Sequence, residues 1–356
     1  MSRRTIPLTL GYVVEVAPRL EGLRHALAAL GARRVVVITN PTVRDLHGAE
    51  LAGELGALIS HWHEMPDGEA YKSLDEWATV LGAVLEGRPD RDTHVLAFGG
   101  GVVGDLAGFV AATALRGLPL VQVPTTLLAM IDASVGGKTA VNVPQGKNLV
   151  GAFHQPKLVW APLSTLATLP EREIVGGLGE LVKHAVIEGE AALAALEAVA
   201  PGLARQEEIG EQIAASIRTK ARIVETDPWE RGCRAHLNLG HTLGHAIEAV
   251  VGFGELRHGE CVAIGLLAVV RLAEELGWAE AGFSERLGTL YGQLSLPTAL
   301  PAGVSSASLV RSMGFDKKRE RGMVRLVIAA APGQLSVRSV EEPALVRLAE
   351  LAGASA

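Results

Sequence analysis

A chain of 356 residues that is 48% hydrophobic and 20% charged carries enough apolar material for two packed domains and too many core-forming residues to be disordered. Its formal net charge of -6, with no long basic run, leaves no footprint for a nucleic-acid partner, so small anionic substrates have to be met by local clusters. Two cysteines, Cys233 and Cys261, make neither a disulfide framework nor a metal knuckle; the longest apolar run, 261–270, is too short to span a bilayer, and no targeting signal is visible. The expectation is a cytoplasmic protein with no membrane partner.

In chain order, β-branched runs at 33–40, 93–100, 118–126 and 157–161 alternate with Ala/Leu/Glu-rich segments such as 19–31 and 73–87, the pattern of a parallel α/β domain. Within it, "AFGGGVVGDLAG" (97–108) contains G-x-G-x-x-G as Gly99, Gly101 and Gly104. A dinucleotide fingerprint usually occupies the first strand-to-helix turn, with an acid about 20 positions on. Neither condition is met here. What survives is local physics: the glycines let backbone approach an anion, and a helix opening at about Asp105 offers free N–H groups to phosphate. A tight turn without ligand is the bland alternative. Further on, "DASVGGKTAVNVPQGKNLVGAFHQP" (132–156) sets Lys138, Lys147 and Asn148 among glycines and apolar residues, which favours anion binding over a solvated loop. "DGEAYKS" (67–73) and "PTT" (124–126) also read as a cap and a turn.

From about 174 to 296 nearly every segment has helical periodicity; a hairpin at 323–340, turned by Pro332 and Gly333, and a helix at 341–353 close the chain. "HLNLGHTLGHAIEA" places His241 and His245 four apart on one helix face, beside His236 and Asn238, and "RHGE" adds His258. Hydrogen-bonded core or surface histidines would explain the cluster without a ligand. A divalent metal explains it better, and spacing alone favours His241 with His245. The carboxylate partner is Glu180, an acid in an otherwise apolar helix with Lys183 on the same face. Two histidines and one carboxylate leave positions open for a substrate oxygen.

These stretches, with "RGLPLVQVPTTLLAMIDASVGGKTAVN", "NLGHTLGHAIEA" and "FDKK", resemble the 3-dehydroquinate synthase family over roughly residues 30–330. The resemblance implies an α/β N-terminal domain with a Rossmann-like parallel sheet (1–172), binding NAD, followed by an all-α C-terminal domain (173–356) for metal and substrate. It implies NAD contacts from Asp67, Glu69, Lys72, Gly101, Gly104, Asp105, Thr125, Thr126, Lys147 and Thr168. It replaces the spacing pair by Glu180, His241 and His258 as ligands of one divalent metal, zinc or cobalt, and leaves His245 for the phosphate of a phosphorylated small molecule. Lys138, Asn148, Asn238 and Lys317 or Lys318 join His245 at that phosphate. Lys183, Asp132 and Glu230 handle orientation and protons; Lys220 and Arg234 hold a substrate carboxylate, the alternative being that they pair with Glu225 or Glu230 on a solvated helix face. Arg116, in "ALRGLPL", reaches into a partner's phosphate site, implying a homodimer; an ordinary surface arginine is the alternative.

The activity implied is closure of 3-deoxy-D-arabino-heptulosonate 7-phosphate to 3-dehydroquinate with loss of phosphate, the second step of the shikimate pathway, NAD being used and returned. Cyclases of sedoheptulose 7-phosphate or glucose 6-phosphate share the NAD and metal motifs, and metal-dependent polyol dehydrogenases share the two-domain plan. A non-catalytic NAD-binding module would have no use for three metal ligands. Three departures stand out: Asn40 where the family often has Asp, and Gly179 and His184 where alanine and tyrosine are common, with packing effects expected of the last two.

Overall fold

The structure is a computed structural model describing residues 2–203, 206–252, 254–315 and 323–355. Contacts divide it into two units, Met1–Pro170 and Glu171–Ala356.

In the first unit the elements run β1 (Arg4–Leu8), β2 (Tyr12–Ala17), α1 (Leu23–Ala29), β3 (Arg34–Thr39), α2 (Pro41–Leu55), β4 (Ile59–Glu64), α3 (Leu74–Glu86), β5 (Thr93–Gly99), α4 (Gly101–Thr113), β6 (Leu120–Pro124), β7 (Lys138–Val143), β8 (Gly146–Phe153) and β9 (Leu158–Pro162). Seven strands form one sheet in the order β1-β2-β9-β6-β5-β3-β4. Only the β1–β2 pair is antiparallel. β5, β6 and β9 are buried at every position, as central parallel strands covered on both faces must be. One face packs Val36, Ile38, Val95 and Leu106 with residues of α3 and α4; the other packs Val35, Val37, Leu96 and Trp160 with residues of α1 and α2.

This topology explains why the glycine loop follows a later strand. The chain leaves β3 for β4 on one side, then returns to place β5 on the other, so the strand order reverses between β3 and β5. Ligand crevices in open α/β sheets lie at that reversal, outside the strands' carboxyl ends. Gly99–Gly101 is the turn there. One expectation is corrected: the helix opens at Gly101, with Gly100 as N-cap, and not at about Asp105. Its free first-turn N–H groups therefore belong to residues 101–103, since Gly104 N already donates to Gly100 O. The segment 132–156 forms a separate hairpin, β7–β8.

The second unit contains α5 (Glu171–Glu188), α6 (Glu190–Val199), α7 (Gln206–Thr226), α8 (His241–Val251), α9 (His258–Glu275), α10 (Phe283–Gln293), α11 (Ser306–Phe315), the antiparallel pair β10 (Val324–Ala331) and β11 (Gln334–Val340), and α12 (Glu342–Leu351). It is helical apart from that hairpin. α9 is buried almost continuously from Gly259 to Ala273, which marks it as the central helix. Its neighbours approach through glycine: a Cβ on Gly179 would overlap Gly259 O, one on Gly259 would overlap Gly176 O, and one on Gly265 would overlap Gly240 O. These contacts bring α5 and the start of α8 against α9, and with them Glu180, His241 and His258.

Candidate active site

At the β3–β5 end of the sheet, Lys72 is 4% exposed and sits between Glu69 and Asp105, its Nζ 3.0 and 3.1 Å from their carboxylates. Burial lowers the Lys72 pKa, but the two acids more than offset it and the ammonium is held above its usual range. Burial pushes the Asp105 carboxyl up to about 6 against the pull of Lys72; Asp132, in the π-helical turn Ala129–Ala133, adds a smaller push. Asp67 accepts a hydrogen bond from Thr42 Oγ1 (3.0 Å). Asn40 Oδ1 accepts Val43 N–H at 3.0 Å and caps α2. Thr125 N donates to Gly99 O, and Thr126 Oγ1 accepts Ala129 N–H, fixing both threonines beside the glycine turn. Thr168 Oγ1 donates to Thr165 O and is paired with His47 Nε2 at 2.7 Å. Gly104 has a packing task as well: a Cβ there would lie 2.9 Å from Gln122 Oε1, and Gln122 Nε2 donates to Gly104 O.

Lys138 opens β7, and Lys147 and Asn148 lie at the start of β8, all three exposed. Asn148, Arg116 and Glu230 have φ of 55°, 66° and 56°. Leu115, before Arg116, is also left-handed at 49°. Two consecutive non-glycine residues in that region store strain of the kind that collects at binding sites. The exposed Arg116 side chain is carried on this turn.

In the second unit, Glu180 is fully buried, and its Oε1 lies 3.4 Å from His241 Nε2 and 3.6 Å from His258 Nε2. Each ring has its other nitrogen occupied. His241 Nδ1 donates to Leu239 O (3.1 Å) and His258 Nδ1 donates to Glu248 Oε1 (3.2 Å). Both histidines therefore present Nε2 to the carboxylate. Two ligands ~2.1 Å from a tetrahedral ion stand about 3.4 Å apart, and the three donor atoms here lie within 4.8 Å of one another. Oε1 makes no hydrogen bond of ordinary length among the described residues. A buried carboxylate oxygen without a hydrogen bond, facing two preset imidazoles, fits a divalent cation of the zinc type. Lys183, 1% exposed, lies 2.5 Å from Glu180 Oε2 and donates to Leu237 O at 2.9 Å. Although burial opposes ionisation, Lys183 and the two histidines hold Glu180 well below the usual carboxylate range. Burial and Lys183 keep His241 well below 6.5, while Glu180 and Glu248 overcome burial to hold His258 up to about 10.

The sequence spacing of His241 and His245 points to a different pair. His245 is exposed, its ring centroid 5.3 Å from that of His241 and 5.9 Å from that of His258. An i,i+4 pattern sees one helix only, and His258 arrives from the first turn of another. Lys220 and Arg234 are 7% and 2% exposed, so neither lies on a solvated helix face. Arg234 Nη1 donates to Pro228 O (2.7 Å) and its N–H to Asp227. Asn238 Nδ2 donates to Glu230 Oε1 at 3.0 Å. His184 Nδ1 pairs with Ser216 Oγ at 2.5 Å, and Gly179 makes the close approach to α9 described above. Lys317 and Lys318 lie outside the described residues. Sequence reasoning missed Glu248, His47 and Asn142; the "GHAIE" run offered Glu248 three residues after His245 as a signal.

Comparison with known proteins places the chain in a family. Residues 62–176 match the family model for the 3-dehydroquinate synthase N-terminal region and residues 177–319 the one for its C-terminal region. The chain is 47% identical over 320 residues to the 3-dehydroquinate synthase of Symbiobacterium thermophilum, covering 88% of this chain and 89% of that one. It is 42% identical over 356 residues to that of Xanthomonas campestris pv. campestris, covering 95% of each. Among solved structures, the 2-epi-5-epi-valiolone synthase of Streptomyces hygroscopicus subsp. jinggangensis, with NAD+ and Zn2+ bound, matches with a TM-score of 0.86 at 29% identity over 99% of each chain. Maleylacetate reductase of Agrobacterium tumefaciens, at 0.68 and 17% identity over 99% of each chain, shares the fold alone. On the two family models and on relatives above 40% identity along most of its length, the chain belongs to the 3-dehydroquinate synthase family.

Proposed function

We propose that this chain closes 3-deoxy-D-arabino-heptulosonate 7-phosphate to 3-dehydroquinate, releasing phosphate, as a cytoplasmic homodimer of the shikimate pathway. Asp67, Glu69, Lys72, Gly101, Gly104, Asp105, Thr125, Thr126, Lys147 and Thr168 would hold NAD, and Glu180, His241 and His258 one zinc or cobalt ion. Bound there, the metal would supply Lewis acidity toward a substrate hydroxyl and NAD the capacity to take up and return a hydride.

The chain's own residues do the holding and the proton work. Lys183, fixed by Leu237 O, balances Glu180 and keeps a cationic donor beside the ligands. His245, exposed one turn after His241, meets the phosphate with Lys138, Asn148 and Asn238; Glu230 orients Asn238. Asp132 completes the proton-handling set. Arg116, held out on its strained turn, serves the partner's phosphate site. No described helix is long and apolar enough to cross a membrane.

The observation that carries the choice of substrate is the burial of Lys220 and Arg234. Both stand at positions that the family resemblance gives to the substrate carboxylate, and a permanently charged planar fork suits that group; substrates lacking it would forgo the attraction. Arg234→Ala is expected to lower kcat/KM by about 10- to 100-fold, the scale of one charge-assisted hydrogen bond. The unmodified protein is expected to turn over sedoheptulose 7-phosphate far more slowly than the heptulosonate. Equal rates on the two sugars, or an unchanged kcat/KM in the variant, would refute the assignment.

A further inference from the structure

A line of polar contacts crosses the first unit, and one of its members has no role in the reading above. Asp105 and Glu69 flank Lys72. Glu69 Oε1 accepts a second hydrogen bond, from Asn142 Nδ2 at 2.8 Å, and Asn142 Oδ1 accepts the backbone N–H of Asn148 at 3.0 Å. Chemistry forces this orientation of the amide, because an ionised carboxylate only accepts and a backbone N–H only donates. Asn142 faces a bulge in the opposite strand. The β7–β8 register shifts between Val141 and Val143, so that Asn142 alone stands opposite residues 147–149 of β8, and the N–H of Asn142 donates to Lys72 O (2.7 Å). Bulges commonly re-aim a side chain of the bulged strand beside a functional site, here that of Asn148. At the far end, Asn148 holds a left-handed φ of 55°, a conformation that persists in a non-glycine residue where its surroundings fix it.

We propose that Asn142 is a positioning residue: with the two ends of one amide it fixes the cofactor-side carboxylate of Glu69 and the left-handed turn that presents Asn148 to the substrate phosphate. This rests on the assignments of Glu69 to NAD and Asn148 to phosphate made above. The two ends can be separated chemically. Asn142→Ala removes both links. Asn142→Asp keeps an acceptor for Asn148 N–H but sets a second carboxylate against Glu69, where like charges repel.

The test uses the full-length protein with its metal, measuring the NAD dissociation constant by calorimetry, KM and kcat for the heptulosonate phosphate at saturating NAD, and Tm. With each lost hydrogen bond worth about 5- to 10-fold, Asn142→Ala is expected to raise both KM and the NAD dissociation constant by that factor while kcat stays within about 3-fold. Asn142→Asp is expected to restore KM to within about 3-fold of the parent while the NAD constant stays raised about 10-fold. Both variants shifting the two constants in the same proportion, or leaving them unmoved whatever Tm does, would overturn the proposal and leave Asn142 a structural residue. Asn148→Ala separates the levels. A raised KM there with unmoved Asn142 variants defeats the linkage alone, and an unchanged KM defeats the phosphate assignment and the linkage with it.

Discussion

Glu180, His241 and His258, the proposed ligands, would meet a metal in different protonation states, and this fixes how affinity responds to pH. Glu180 is ionised and His241 neutral at pH 7, while His258 keeps its proton up to about 10. A cation must displace that one proton, so zinc uptake at pH 7–8 is expected to release close to one proton, with affinity rising about tenfold per pH unit below ~10. Calorimetry in two buffers of different ionisation enthalpy reads this directly; a pH-independent affinity would contradict it. Glu248 acts one bond further out. By holding His258 Nδ1 it turns Nε2 toward Glu180, so Glu248→Ala is expected to weaken zinc by about 10- to 100-fold against a competing chelator, with Glu248→Gln, which keeps a carbonyl acceptor, close to the parent. Glu180 is legible in the sequence as a lone acid in an apolar helix. His258 as a ligand is legible only through family resemblance, because nothing local says which helix its ring will face. Asn142 gives no signal at all, since an asparagine beside "VPQG" reads as turn chemistry until the bulge is seen.

At the scale of elements, the proposed metal ligands are brought together by glycines that permit helices to touch. Gly259 follows His258 directly, and a Cβ on it would overlap the Gly176 carbonyl. α5 and α9 would have to separate, so Gly259→Ala is expected to destabilise by about 1–3 kcal/mol or more and to weaken metal together with Tm. Gly53, inside α2, is the control, because an added Cβ there would meet nothing within 4 Å. Gly53→Ala is expected to be stabilising by about 0.5–1 kcal/mol, since it gains helix propensity and meets no clash. Thermal unfolding of both variants, with zinc titration, checks the contrast; a neutral Gly259→Ala would show that the helices are not held by this contact. The glycine turn at 99–104 is visible in the sequence, yet its helix begins four residues earlier than expected, because Gly100 serves as N-cap without a side-chain signal. The β7–β8 hairpin is harder to see. Its glycines and lysines mask an alternation that only pairing reveals.

Over the whole molecule, alternating β-branched and helical runs followed by long helical periodicity make the α/β-then-helical order readable. The edge strands are less so: "ISHWHE" in β4 is polar at most of its positions, as a strand with one paired side permits, and the β1–β2 hairpin carries no turn signal stronger than Gly11. The whole molecule acts as one catalyst, in which NAD is reduced and reoxidised within each turnover and phosphate leaves. Inorganic phosphate and absorbance at 340 nm, followed together in one cuvette holding protein, zinc, catalytic NAD and the heptulosonate 7-phosphate, report on this cycle. Phosphate release is expected over many turnovers per NAD with no net rise at 340 nm, abolished by chelator. Stoichiometric NADH accumulation, or NADH production from a polyol without phosphate release, would contradict it and make the chain a dehydrogenase.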